Sequence, residues 1–117
     1  MKIAIIGAGN LGLSIGRGLI TNNSITQLYL TRRSLDSITT WTEYANTYIT
    51  TDNKEAVEKS DIIILAVQPR QLTTVLTEIK DSLHENHVLI STVTGFSLSK
   101  MEKVVGPDTF LIRSMPN

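Results

Sequence analysis

Branched apolar residues gather in six short runs, and between them apolar positions recur every three or four residues, so the two patterns alternate along the chain. The runs Lys2 to Ile6, Gln27 to Thr31, Tyr48 to Thr51, Asp61 to Val67, Val88 to Val93 and Thr109 to Arg113 are predicted strands. Ile62 to Val67 has no polar alternation, as befits a central strand covered on both faces. Leu72, Val75, Leu76, Ile79 and Leu83 form one stripe of a helix whose Thr73, Glu78 and Lys80 face water, with Pro69 in its first turn. A last helix is predicted from capping-box spacing at Ser99 and Glu102. Leu98, Met101 and Val105 form its buried side, and Gly106-Pro107 ends it. Strict alternation of this kind predicts an α/β fold: a mainly parallel six-stranded sheet with right-handed crossovers and helices on both faces.

The chain has 117 residues, enough for one domain with one continuous core, and no repeat, linker or low-complexity tract divides it. Cysteine is absent, which excludes a disulfide scaffold, a thiolate metal site and a cysteine nucleophile; redox chemistry would need a borrowed cofactor. Eleven basic and eleven acidic side chains cancel, so nucleic acid and anionic membrane are not expected partners, although a local cluster can still hold one phosphate. No apolar run approaches a membrane span or a signal peptide, so the chain reads as soluble and cytoplasmic.

Gly7-Ala8-Gly9-Asn10-Leu11-Gly12 has the form G-x-G-x-x-G. It follows the first predicted strand and opens a helix carrying Leu11, Ile15 and Leu19 on one face, the setting in which this pattern binds a dinucleotide. Gly7 would permit the turn, Gly9 the approach of a diphosphate, and Gly12 close helix–strand contact. The free N–H groups and dipole of the helix start would hold the phosphates. The alternative is a tight strand-to-helix turn that binds nothing.

About twenty residues further on, NAD-binding sites usually place an acid on the ribose 2′-hydroxyl. Here the residues are Thr31, Arg32, Arg33 and Ser34, whose guanidinium and hydroxyl groups suit a 2′-phosphate and favour NADP over NAD. The alternative makes Arg32 and Arg33 a solvated pair and Ser34 a helix cap. His84 and His87 lack the spacing of a helical metal pair and read as a polar loop, with no metal site expected. Trp41 and Tyr44 read as packing residues on a weakly periodic helix, and nothing suggests a serine or carboxylate hydrolase.

The opening Lys2 to Gly12, the segment Asp61 to Pro69 and the closing Arg113-Ser114-Met115-Pro116-Asn117 carry a family likeness. Over nearly its whole length the chain resembles the N-terminal cofactor domain of pyrroline-5-carboxylate reductases, and more broadly the NADP oxidoreductase domains of F420-dependent type. The resemblance implies a Rossmann-type doubly wound domain and hydride transfer from NADPH to a cyclic imine in proline synthesis. It implies that Gly7, Ala8, Gly9, Asn10 and Leu11 hold the diphosphate, and that Ser34 and Asn53 contact the adenosine ribose side, with Arg32 and Arg33 on the 2′-phosphate. Ala66, Val67, Gln68 and Pro69 would run beside the nicotinamide ribose. Thr94 and Gly95, with Met115, Pro116 and Asn117 on the substrate side, would border the nicotinamide and imine.

Three departures from the family pattern stand out. Gln68 occupies a position where the family usually has lysine, and Val93 and Thr94 stand where it usually has small alanines. The family continues into a helical C-terminal domain that makes the homo-oligomer, closes the pocket and supplies the acid. No catalytic residue is therefore expected within residues 1–117, and cofactor binding without efficient turnover is the expectation. Two other readings remain: a related reductase of another substrate, F420-linked or hydroxyacid type, and a stand-alone NADP-binding module. An exposed apolar edge near Thr109 to Asn117 would favour the enzyme over the module.

Overall fold

The computed structural model describes residues 1–22 and 25–114. Six strands form one all-parallel sheet: β1 Lys2–Ile6, β2 Gln27–Thr31, β3 Thr47–Thr50, β4 Ile62–Leu65, β5 Val88–Ser91 and β6 Phe110–Arg113. Their order is β3-β2-β1-β4-β5-β6, the doubly wound arrangement with its switch point between β1 and β4. Helices α1 Asn10–Thr21, α2 Asn53–Glu58, α3 Leu72–Ile79 and α4 Leu98–Val105 make the crossovers, with 3₁₀ turns at Thr39–Glu43, Pro69–Gln71 and Lys80–Ser82.

Alternation along each central strand sends side chains to two separate cores. Ala4, Ile6, Ile63, Leu65 and Leu89 face α2, α3 and α4, where Val57, Leu72, Leu76, Ile79 and Met101 are fully buried. Ile3, Ile5, Leu28, Leu30 and Ile64 face the opposite way, toward α1 and Trp41. Gly16 lets α1 lie against the indole, since a Cβ there would meet Trp41 Cζ3 at 3.3 Å. The isoleucines of β4 thus supply both cores at once, which is why that run shows no polar alternation.

Several local expectations are corrected. Strands β4 and β5 each end two residues early, because Ala66 to Gln68 and Thr92 to Val93 already turn away from the sheet. The stretch between β2 and β3 is a turn and a short 3₁₀ helix in place of an α-helix; Trp41 is buried there but Tyr44 is 47% exposed. Leu11 does not share the buried face of α1: it is 40% exposed, while Leu13, Ile15, Leu19 and Ile20 pack. The cap of α4 is Ser97, whose hydroxyl accepts from the Lys100 amide at 3.2 Å; Ser99 lies inside the helix and Leu98 is exposed. Leu83 lies beyond the end of α3, still packed against the core.

One sheet face is left partly open. Register places Val88, Ile90, Phe110 and Ile112 on the α1 side of β5 and β6, where Ile90 packs against the core but Phe110 and Ile112 are 60% and 40% exposed. Among the described residues no helix is long and apolar enough to cross a membrane.

His87 is not part of a solvated loop. It is fully buried at the start of β5, with Nε2 donating toward the carbonyls of Val57 and Ser60, each at 3.0 Å. Its Nδ1 accepts from the His84 amide at 3.0 Å, and the His84 ring stacks on it at 3.7 Å. The neutral Nε2–H tautomer satisfies every contact, and the ring ties the end of α2 to the α3–β5 connection. Burial, then the neighbouring His84, hold its pKa below the ordinary 6.5, against the two carbonyls and Asp61. The unfolded imidazole therefore binds a proton first as pH falls, so this contribution to stability is whole above 6.5 and is lost through the folded pKa. Melting temperature should fall as pH drops from about 7.5 to about 5.5, and His87→Asn should flatten that slope; an unchanged slope would show that another group governs it.

Candidate nucleotide-binding site

The turn after β1 is shaped by close approach. Gly7 has φ +84°, and a Cβ there would lie 2.6 Å from Val67 Cγ1, so the β1–α1 turn passes directly over the end of β4. Gly12 brings α1 against the same strands, its Cβ position 3.1 Å from both the Gly7 carbonyl and Ile5 Cγ2. At Gly9 the backbone is extended and nothing lies within 4 Å of where a Cβ would be. The side of the turn away from the sheet is thus open space.

Residues at the end of β2 hold this turn in place. The amide of Ala8 donates to the Thr31 carbonyl at 2.7 Å and that of Gly7 to the Thr31 hydroxyl at 3.3 Å. Arg32 Nη1 returns to the Ala8 carbonyl at 3.2 Å. The first amide of α1 with a helical acceptor is that of Leu13, which bonds Gly9 at 2.9 Å. The N–H groups of Asn10, Leu11 and Gly12 have no acceptor among the described residues, so they form an uncapped, electropositive helix start.

Beside this helix start, lined by Gly7 and Gly9 of the turn, lies a cleft of about 740 Å³ at the carboxyl ends of β1, β2 and β4. Ten of the sixteen expected cofactor residues line it: Gly7, Gly9, Thr31, Arg32, Arg33, Ser34, Asn53, Ala66, Val67 and Gln68. Leu11, Pro69 and Thr94 border an adjoining hollow of about 350 Å³ that shares Ala66 to Gln68 and includes Thr92 and Val93. Ala8 is fully buried beneath the turn, and Asn10 and Gly95 line neither space. Met115, Pro116 and Asn117 lie outside the described residues.

The geometry also changes individual roles. Thr31 is 1% exposed and its hydroxyl is committed to Gly7, so its main work is to brace the turn. Arg32 is half-buried and divided between Ala8 and the cleft, whereas Arg33 and Ser34 are exposed. Asn53 opens α2 behind Asp52, whose carboxylate accepts from Lys54 and Glu55. Sequence reasoning missed the far wall: Arg70, Gln71, Thr74, Val75 and Glu78, from the 3₁₀ turn and α3, also face the cleft. Their one sequence signal was polar residues at Arg70, Thr74 and Glu78 beside the apolar stripe, a pattern that also describes a solvated helix face.

The described residues contain no cluster of three or more His, Asp or Glu fit for a metal. The site instead offers unpaired N–H groups, an open approach over Gly9 and guanidinium groups, a donor set for phosphates.

Known proteins share this sequence pattern and fold. The model of the family described as NADP oxidoreductase, coenzyme F420-dependent, matches residues 2–95. Pyrroline-5-carboxylate reductase 2 of Dictyostelium discoideum is 39% identical across 99% of this chain and 40% of its own length. The pyrroline-5-carboxylate reductase of Coxiella burnetii superposes with a TM-score of 0.90 at 34% identity, covering 98% of this chain and 43% of that one. That of Plasmodium falciparum, solved with NADP bound, gives 0.86 at 28% identity over 100% of this chain and 42% of that one. The chain therefore spans 40%, 21% and 41% of the length of three curated relatives that it matches.

The first two glycines of the turn should respond differently to a methyl group. Gly7→Ala must strain a left-handed backbone and displace Val67, and should cost about 1–3 kcal/mol in denaturant unfolding. Gly9→Ala meets open space and should change stability by less than about 0.5 kcal/mol. Equal losses would mean that the turn is packed differently.

Proposed function

The chain belongs to the NADP oxidoreductase, coenzyme F420-dependent, family, and from that premise we propose that residues 1–117 form the NADP(H)-holding part of a reductase acting on a cyclic imine, as in pyrroline-5-carboxylate reduction to proline. The observation that carries this reading is the uncapped start of α1, its free amides beside the open approach over Gly9. Its similarity along almost the whole chain to pyrroline-5-carboxylate reductases supports the substrate class.

The residues fit a dinucleotide. The amides of Asn10, Leu11 and Gly12 would take the diphosphate, and Asn53 and Ser34 the adenosine ribose side. Arg33, with part of Arg32, would take the 2′-phosphate. No acidic residue occupies Thr31 to Ser34, which supports NADPH over NADH. When bound, NADPH supplies a hydride to an electrophilic carbon. Ala66 to Pro69 and Thr94 would orient the nicotinamide end, with Met115, Pro116 and Asn117 on the substrate side. Gln68 brings no charge there.

Hydride transfer requires water to be excluded and both carbons to be held together, and a cleft open on one side does not do this alone. We therefore read these residues as the cofactor part of the machinery, with the acid, pocket closure and homo-oligomer contacts supplied from beyond them, in a cytoplasmic enzyme. The exposed apolar side chains of Phe110 and Ile112 on the edge strand support this against a stand-alone module, which would present polar side chains there.

Titration of the chain with NADPH and NADH, followed by nicotinamide fluorescence, tests the assignment. NADPH should bind at least about tenfold more tightly, Arg33→Ala should remove most of that preference, and Gly9→Ala should abolish binding of both. Equal affinities in the parent would remove the 2′-phosphate assignment. Pyrroline-5-carboxylate with NADPH should give little oxidation, and rapid turnover by residues 1–117 would overturn the claim that they hold no complete catalytic apparatus.

A further inference from the structure

We propose that Arg70 is a cofactor-specificity residue whose guanidinium grips the ribose 2′-phosphate from the wall opposite Arg33. The inference rests on the reading that the cleft holds NADP(H) and assigns a partner for that phosphate which the sequence pattern did not suggest. Arg70 sits in the 3₁₀ turn Pro69–Gln71 at the end of β4, exposed and facing the cleft, with Arg32 and Arg33 on the β2 side.

Charge points to the ligand. The chain as a whole is neutral, yet three guanidinium groups and a single carboxylate, Glu78, line this one cavity. The only ion pair among the described residues is Lys59–Glu55, so none of the three arginines is neutralised by a protein carboxylate. Like charges focused on one cleft repel unless an anion enters between them.

Division of labour points to which phosphate. The diphosphate has the amides of Asn10, Leu11 and Gly12 and needs no further cation. The 2′-phosphate dianion has no helix start of its own, and Arg32 is partly spent on the Ala8 carbonyl. Gln68, a polar residue at the start of this wall, carries no charge, and its backbone N–H donates to Gln71 Oε1 at 3.2 Å. Arg70 is then the cation on the β4 side able to complete a two-sided grip with Arg33. A planar guanidinium suits that task because it can present two N–H groups to phosphate oxygens.

Isothermal titration of the chain and of Arg70→Ala with 2′,5′-ADP and with 5′-AMP, which differ only in the 2′-phosphate, tests the proposal without any turnover. Arg70→Ala should weaken 2′,5′-ADP binding roughly tenfold while changing 5′-AMP binding by less than about twofold, with melting temperature unchanged. An unchanged ratio, or equal loss for both nucleotides, would overturn the assignment of Arg70 and leave the NADP reading intact. A parent chain that binds neither NADPH nor 2′,5′-ADP would overturn the NADP reading itself.

Discussion

The close pass of the β1–α1 turn over the end of β4 is the contact on which the remaining geometry depends. With Val67 occupying the space where a Gly7 side chain would stand, the backbone takes a left-handed step and α1 starts immediately above the sheet edge. From that edge α1 leaves on one face of the sheet and α3 on the other, so a crevice opens between them where the strand order reverses. A bulkier residue at Gly7 or Gly12 would push α1 away and turn its unpaired amides out of the crevice.

Electrostatics then selects what the crevice suits. A helix start without a side-chain cap leaves its amides unsatisfied, which a folded protein tolerates when water or a ligand completes them. The bracing of the turn by Thr31 and Arg32 aims those donors by holding the backbone below them. Cations cluster over the same crevice although the molecule has no net charge, so the attraction for an anion is concentrated there.

Most of the architecture was legible because sheet burial writes itself into composition. The run Ile62 to Leu65 serves two cores and therefore lacks alternation, and the stripe of α3 marks the face that covers one of them. Features decided by tertiary contact were not legible. Ser97 and Ser99 are both plausible caps in a one-dimensional pattern, and only the path out of β5 selects Ser97. His87 looks solvated among Glu85 and Asn86, yet its ring is buried by carbonyls from a segment thirty residues away. At the cleft, the glycine turn and the residues at the ends of β2 and β4 were readable from their position after strands. The far wall was not, because Arg70 and Glu78 meet the cleft only once α3 is laid against the sheet.

In the proposed complex the free amides at the start of α1 receive the diphosphate. The most direct measurement is the amide proton–nitrogen NMR spectrum of the chain as NADPH is added. Strong downfield shifts of the Asn10, Leu11 and Gly12 amides, exceeding those elsewhere in the sheet, are the predicted result. Saturable binding that leaves these three amides unmoved while perturbing another surface would contradict the account.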